Sequence, residues 1–166
     1  MNIQSLNTLP IDQANHLFLQ CCTSEKWIEK MVASRPFTDS NSLRDTADNI
    51  WKHLSEKDYL QAFEGHPKIG DVGSLKAKYA NSKELASGEQ SGASSATDEI
   101  IAELANSNSE YEEKYGFIFI VCATGKSARE MLALLQGRLN NDRQKELKIA
   151  SEEQRKIFHL RLEKLL

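Results

Sequence analysis

Phe117-Ile118-Phe119-Ile120-Val121-Cys122-Ala123 is the longest apolar stretch of the chain, and it is rich in residues that favour extended backbone. Its reading decides the fold. It is far too short to cross a bilayer. The segments on either side read as helix, and one extended segment alone cannot make a sheet. Its backbone N–H and C=O groups must therefore be met by loops or a ligand. The expected architecture is all-α: a single-domain helical bundle over residues 1–166, with one buried extended segment near 117–123.

Downstream of that segment, Ser127 is placed to cap a helix over Ala128 to Leu139, with Met131, Leu132, Leu134, Leu135 and Leu139 inward. A last helix is expected from about Asp142 to Leu165. Upstream, Gly116 ends a short helix Glu110–Tyr115, and Thr97-Asp98-Glu99 starts another that carries Ile100, Ile101 and Leu104. Residues 86–97 are rich in Ser, Gly and Ala and read as a loop with turns or, more blandly, as a flexible linker. Leu75 to Leu85 has helical character, and residues 65–74 read as loop.

Ser55-Glu56-Lys57-Asp58 resembles a capping box that opens a helix through Phe63. Ser42 is the expected cap of the helix carrying Leu43, Ala47, Ile50, Trp51 and Leu54. The first helix is expected to open at Pro10 and Asp12 and to break near Thr23-Ser24. Its face continues through Trp27, Ile28, Met31 and Val32 to a stop at Arg35-Pro36.

The 166 residues suffice for one domain with a real core. A hydrophobic share of 40% and a charged share of 27% are ordinary for a globular chain, and the net charge of -3, without a basic run, argues against nucleic acid. Three cysteines, two of them adjacent at Cys21 and Cys22, do not form a disulfide framework, so a reducing cytoplasm is expected. The N-terminal residues lack a secretory pattern, and the final Glu163-Lys164-Leu165-Leu166 is not a peroxisomal address.

Chemistry concentrates in Phe63-Glu64-Gly65-His66-Pro67-Lys68-Ile69-Gly70 and Gly88-Glu89-Gln90-Ser91-Gly92. No metal motif, phosphate loop or hydrolase elbow is present. His66 titrates near neutrality and suits acid-base work, and Pro67 stiffens its backbone. A helix-terminal histidine satisfied by backbone is the alternative. Glu89 could hold a histidine tautomer and Gln90 could read an amide edge, or both could sit in a solvated loop. Arg161 could fork onto a carboxylate, with Arg155 and Lys156 as competitors and a surface ion pair as the alternative. Cys122, within the apolar run, reads as core rather than nucleophile.

Taken together, Phe63–Gly70, Gly88–Gln90, Tyr115–Ser127 and Leu160-Arg161-Leu162 resemble the 2-oxo-4-hydroxy-4-carboxy-5-ureidoimidazoline (OHCU) decarboxylase family of purine catabolism. The resemblance covers nearly the whole chain. It implies an all-helical homodimer that converts OHCU to (S)-allantoin and CO2 without metal or organic cofactor. It implies His66 as the catalytic proton donor, Glu89 as the carboxylate contacting it or the substrate, and Gln90 as the amide-edge reader. Pro67 and the loop Ala86, Ser87, Gly88, Glu89 and Gln90 match substrate contacts. So do the backbone groups of Phe119, Ile120, Val121 and Cys122, and Arg161 matches the arginine that meets a substrate oxygen or the leaving carboxylate. Where many members have a serine three residues before the glutamate, this chain has Ala86, and Ser87 is the neighbouring hydroxyl. No transthyretin-like hydrolase segment is attached, which points to a stand-alone decarboxylase. The alternatives are a helical protein-interaction module and a ureide binder without turnover.

Overall fold

The computed structural model describes residues 1–67, 72–79 and 91–166, and every regular element among them is an α-helix. In chain order these are α1 Ile3–Thr8, α2 Ile11–Cys21, α3 Glu25–Ala33, α4 Ser40–Lys52, α5 Glu56–Glu64, α6 Val72–Lys78, α7 Ser91–Tyr115, α8 Ala128–Arg138 and α9 Arg143–Leu165. No helix among the described residues is long and apolar enough to cross a membrane. The chain divides into two compact units, residues 1–66 with 151–166, and residues 67–150.

The first unit is built around aromatic side chains supplied by helical spacing. Phe18 on α2, Trp27 on α3 and Phe158 on α9 are fully buried. Trp27 meets Phe18 edge-on at 5.9 Å between ring centroids and Phe158 at 5.0 Å. Each indole N–H finds a carbonyl, Trp27 Nε1 on Ala47 at 3.2 Å and Trp51 Nε1 on Ser151 at 3.1 Å, so neither buried donor is orphaned.

Helix ends here follow side-chain capping, with two departures from the sequence reading. Asp39, not Ser42, caps α4: its carboxylate accepts from the Ser42 N–H at 2.7 Å. Both residue types cap well, and the apolar row starting at Leu43 hides the polar first turn before it. The extra helix α1 precedes the expected first helix and is capped by the Asn2 side chain on Ser5 N–H at 2.8 Å. The capping box at Ser55 is present, with Asp58 accepting from the Ser55 N–H at 3.0 Å.

In the second unit, α7 packs on α8 and α6. The loop expected over 86–97 is helix from Ser91 onward, and the two helices expected within 97–115 are one helix of 25 residues. Helix propagation is cooperative, so a run of small residues joined to a good helix former can extend it. The polar stretch Asn106–Ser109 also stays helical. The Asn108 amide donates to the Leu104 carbonyl at 2.8 Å, and small Ser107 is accommodated on a buried face. Gly116, at φ +80°, ends α7 in the left-handed region that glycine tolerates. Likewise, α6 begins at Val72, inside the expected 65–74 loop, and Leu75 anchors it in the core.

Residues 117–123 carry no regular secondary structure, and only Phe117 and Ile120 are fully buried while the others are half-buried. Side chains meet their carbonyls in place of a sheet: Arg138 Nη1 donates to Ile120 at 2.5 Å and Lys126 Nζ to Cys122 at 2.7 Å. Arg138 also donates from Nε to buried Glu146 at 2.5 Å, and the Tyr111 hydroxyl donates to the same carboxylate. Ser127 caps α8 as expected. Leu134 is exposed rather than inward, because Met131, Leu132 and Leu135 complete the buried face of α8 without it.

Candidate functional site

His66 is set by the end of α5. Phe63 is buried and pins the last turn, Gly65 donates to the Ala62 carbonyl at 3.3 Å, and His66 N–H donates to the Phe63 carbonyl at 3.1 Å. Gly65 has an ordinary helical φ of -72°, so its glycine is required by space. A Cβ there would lie 2.1 Å from Thr23 Oγ1, whose hydroxyl donates to the Gln61 carbonyl at 3.0 Å. Close approach of Thr23 thus fixes where the chain leaves α5 and where the imidazole begins.

The imidazole is half-buried, and its Nε2 lies 2.5 Å from Oε1 of Gln154 on α9. Burial lowers the His66 pKa below its ordinary value. The Gln154 hydrogen bond opposes that shift, and the nearby positive charge of Arg161 adds to it. In the free protein the ring therefore favours its neutral form near pH 7.

Arg161 lies two helical turns beyond Gln154 on the same row of α9. Its Nη1 donates to the Cys21 carbonyl at 3.1 Å, at the C-terminal end of α2, where a cation is favoured. Its competitors are engaged elsewhere: Arg155 bridges Asp48 at 3.1 Å and Glu152 at 2.9 Å, and Lys156 pairs with Glu153 at 2.6 Å. The other histidines serve local contacts. His16 meets Gln20, His53 meets the Asn49 carbonyl, and His159 meets Asp48. Burial pushes the Cys21 thiol up to about 11 and the Cys22 thiol up to about 12, which leaves both protonated at neutral pH.

Of the residues expected at a site, the structure brings His66 and Arg161 into one unit, where the charge of one acts on the ring of the other. Pro67 is exposed. Phe119, Ile120, Val121 and Cys122 belong to the second unit, with the Arg138 guanidinium 4.5 Å from the Phe119 ring centroid. Ala86, Ser87, Gly88, Glu89 and Gln90 lie outside the described residues. Sequence reasoning missed Gln154, which hides in the polar run 151–156. The available signal is its place four residues before Phe158 and eight before Leu162, on the apolar face of α9.

A half-buried imidazole that feels the charge of a guanidinium is suited to acid-base work. The OHCU decarboxylase family model matches residues 7–163. The chain is 36% identical over 146 residues to the uric acid degradation bifunctional protein TTL of Arabidopsis thaliana, covering 87% of this chain and 45% of that one. It thus spans less than half the length of that relative. It is 26% identical to the OHCU decarboxylase of Haloferax volcanii, covering 98% of this chain and 94% of that one. A crystal structure of OHCU decarboxylase in the presence of (S)-allantoin superposes with a TM-score of 0.72 at 36% identity, covering 89% of this chain and 95% of that chain.

Proposed function

The chain belongs to the OHCU decarboxylase family, and we propose that it converts OHCU to (S)-allantoin and CO2 in urate degradation, with His66 as the acid-base residue. The observation that carries this reading is a half-buried imidazole hydrogen-bonded to Gln154 on α9, on a chain whose residues 7–163 match the family. The similarity to a structure determined in the presence of (S)-allantoin supports a ureide as the ligand.

The reaction needs little beyond placement and one proton. The carboxylate leaves from a carbon next to a C=N group, which accepts the electron pair as CO2 departs. The resulting enol-like intermediate is protonated on carbon, and protonation from one face gives one enantiomer. Arg161 meets a substrate oxygen or the departing carboxylate. The anionic substrate raises the affinity of His66 for a proton, so a ring that is neutral when empty becomes the donor when loaded. Glu89 reinforces that shift or holds the substrate, and Gln90 reads the ureido edge. Pro67, Ala86, Ser87, Gly88 and the backbone of Phe119, Ile120, Val121 and Cys122 complete the contacts. Residues 1–166 work as one OHCU decarboxylase-like domain, a homodimer without cofactor. Cysteine usage supports a cytoplasmic setting.

The helical interaction module is the weaker reading. An exposed apolar face on α8 would favour it, yet Met131, Leu132 and Leu135 are buried. The deciding experiment follows optical activity from freshly generated OHCU. The purified protein should speed the appearance of (S)-allantoin, and racemate at the background rate would reject the enzyme reading.

A further inference from the structure

Gln154 is a polar side chain on an apolar row, with no exposed surface, and such a group is costly to bury unless it is bonded. Its Oε1 meets His66 Nε2 at 2.5 Å, while its own Nε2 has no hydrogen-bond partner among the described residues. Among the described residues, the one hydrogen bond of this side-chain amide is with the imidazole. We propose that Gln154 is a positioning residue for His66, holding the ring with hydrogen on Nε2 so that the proton exchanged with substrate passes through Nδ1. The inference rests on the reading of His66 as the acid-base residue.

The argument is one of donor and acceptor matching. An amide oxygen only accepts, so the ring nitrogen facing it must carry hydrogen. Hydrogen on Nε2 is present both in one neutral tautomer and in the imidazolium. The contact therefore survives the gain and loss of a proton at Nδ1. The opposite amide orientation would set two donors against each other each time the ring became charged. It would also demand the other neutral tautomer, with Nδ1 already occupied by hydrogen. In the proposed cycle, imidazolium Nδ1–H gives its proton to the carbon of the enol-like intermediate, whose electron pair forms the new C–H bond. The ring returns to the neutral Nε2–H tautomer and is reprotonated at Nδ1 from solvent. Arg161 is the charged group among the described residues that acts on the ring, and it disfavours the imidazolium, an effect the Gln154 oxygen offsets.

The test is a two-bond 1H–15N NMR spectrum of the full chain with 15N-labelled histidine, read together with steady-state kinetics. Above its pKa, His66 should show a protonated Nε2 and a bare Nδ1. In Gln154→Leu that signature should give way to mixed tautomers, and kcat should fall roughly 10- to 100-fold, by analogy with the partners that orient metal-bound imidazoles. Gln154→Glu, which keeps an acceptor, should restore the Nε2–H signature and most of kcat. A wild-type spectrum with hydrogen on Nδ1, or a Gln154→Leu protein with unchanged tautomer and kcat, would overturn the proposal. Should Gln154→Leu fail to fold, the wild-type and Gln154→Glu spectra decide alone. The underlying reading fails separately: a His66→Ala protein with wild-type kcat removes the acid-base role whatever the tautomer. An inactive His66→Ala protein together with an Nδ1–H ring in the wild-type spectrum removes only the role of Gln154.

Discussion

Arg138 reaches from the last turn of α8 to the Ile120 carbonyl, 2.5 Å away, and both residues are buried. The same guanidinium meets Glu146, which has no exposed surface. A segment that would need a neighbouring strand is thereby tied at Ile120 by a long side chain and its counter-ion, as Lys126 ties it at Cys122. Arg138→Met should cost about 3–5 kcal/mol, since it strands a buried carboxylate. Urea unfolding measures the loss, and pairing it with Glu146→Leu should recover part of it. A change below about 1 kcal/mol in the single variant would show that the pair does not hold the segment.

His66→Ala should lower kcat by roughly 10²- to 10⁴-fold, the usual contribution of a positioned proton donor. The rate of (S)-allantoin formation, followed by circular dichroism, supplies the number. Product that becomes racemic as the rate falls would tie the same residue to stereocontrol.

Arg161→Ala should reduce kcat/KM roughly 10- to 100-fold, as expected for one lost charged hydrogen bond. Arg161→Lys keeps the charge but not the planar fork, and should fall between the two. Full activity in Arg161→Ala would place the anion elsewhere.

The His66 pKa is lower in the folded protein than in the unfolded chain, chiefly through burial. Between the two values the unfolded state binds more protons, so stability rises with pH there. Conversely, wild-type stability should drop as pH falls from about 6.5, the ordinary histidine value, through the folded-state pKa. His66→Gln should lose less stability between pH 7.5 and pH 5 in parallel urea titrations. Equal losses would show that the ring is not shielded from water.

Gly65→Ala should destabilise the protein by about 1–3 kcal/mol, the usual cost of overpacking, because the new methyl would collide with Thr23 Oγ1 at 2.1 Å. Thr23→Ala in the same chain should recover part of the loss by removing the two nearest atoms. Thermal unfolding of the single and double variants tests the coupling. Activity should drop with Gly65→Ala as well, since His66 follows directly.

Much of this is legible in the chain alone. Apolar spacing marked α2, α3, α4 and α8, and Ser127 and the Ser55–Asp58 pair marked helix starts because capping is local chemistry. His66 and Arg161 stood out by residue type and neighbours. The start of α7 was not legible: the weakly helical 91–96 is carried by propagation from the helix that follows. Gln154 was not legible either, since a lone amide in a charged run has no signature until its ring partner, 88 residues away in the chain, is placed against it.

By itself the sequence determined the helical class, the caps at Ser55 and Ser127, the position of the apolar segment at 117–123, and the identity of the acid-base candidate. These follow from periodicity, side-chain chemistry and motif order along the chain. Tertiary structure alone decided that Arg138 and Lys126 satisfy the carbonyls of that segment, that Arg161 rather than Arg155 acts on His66, and that a buried amide holds the ring. Hydrogen bonds and charges act through space over a few ångströms, and only the folded chain sets which distant residues come that close.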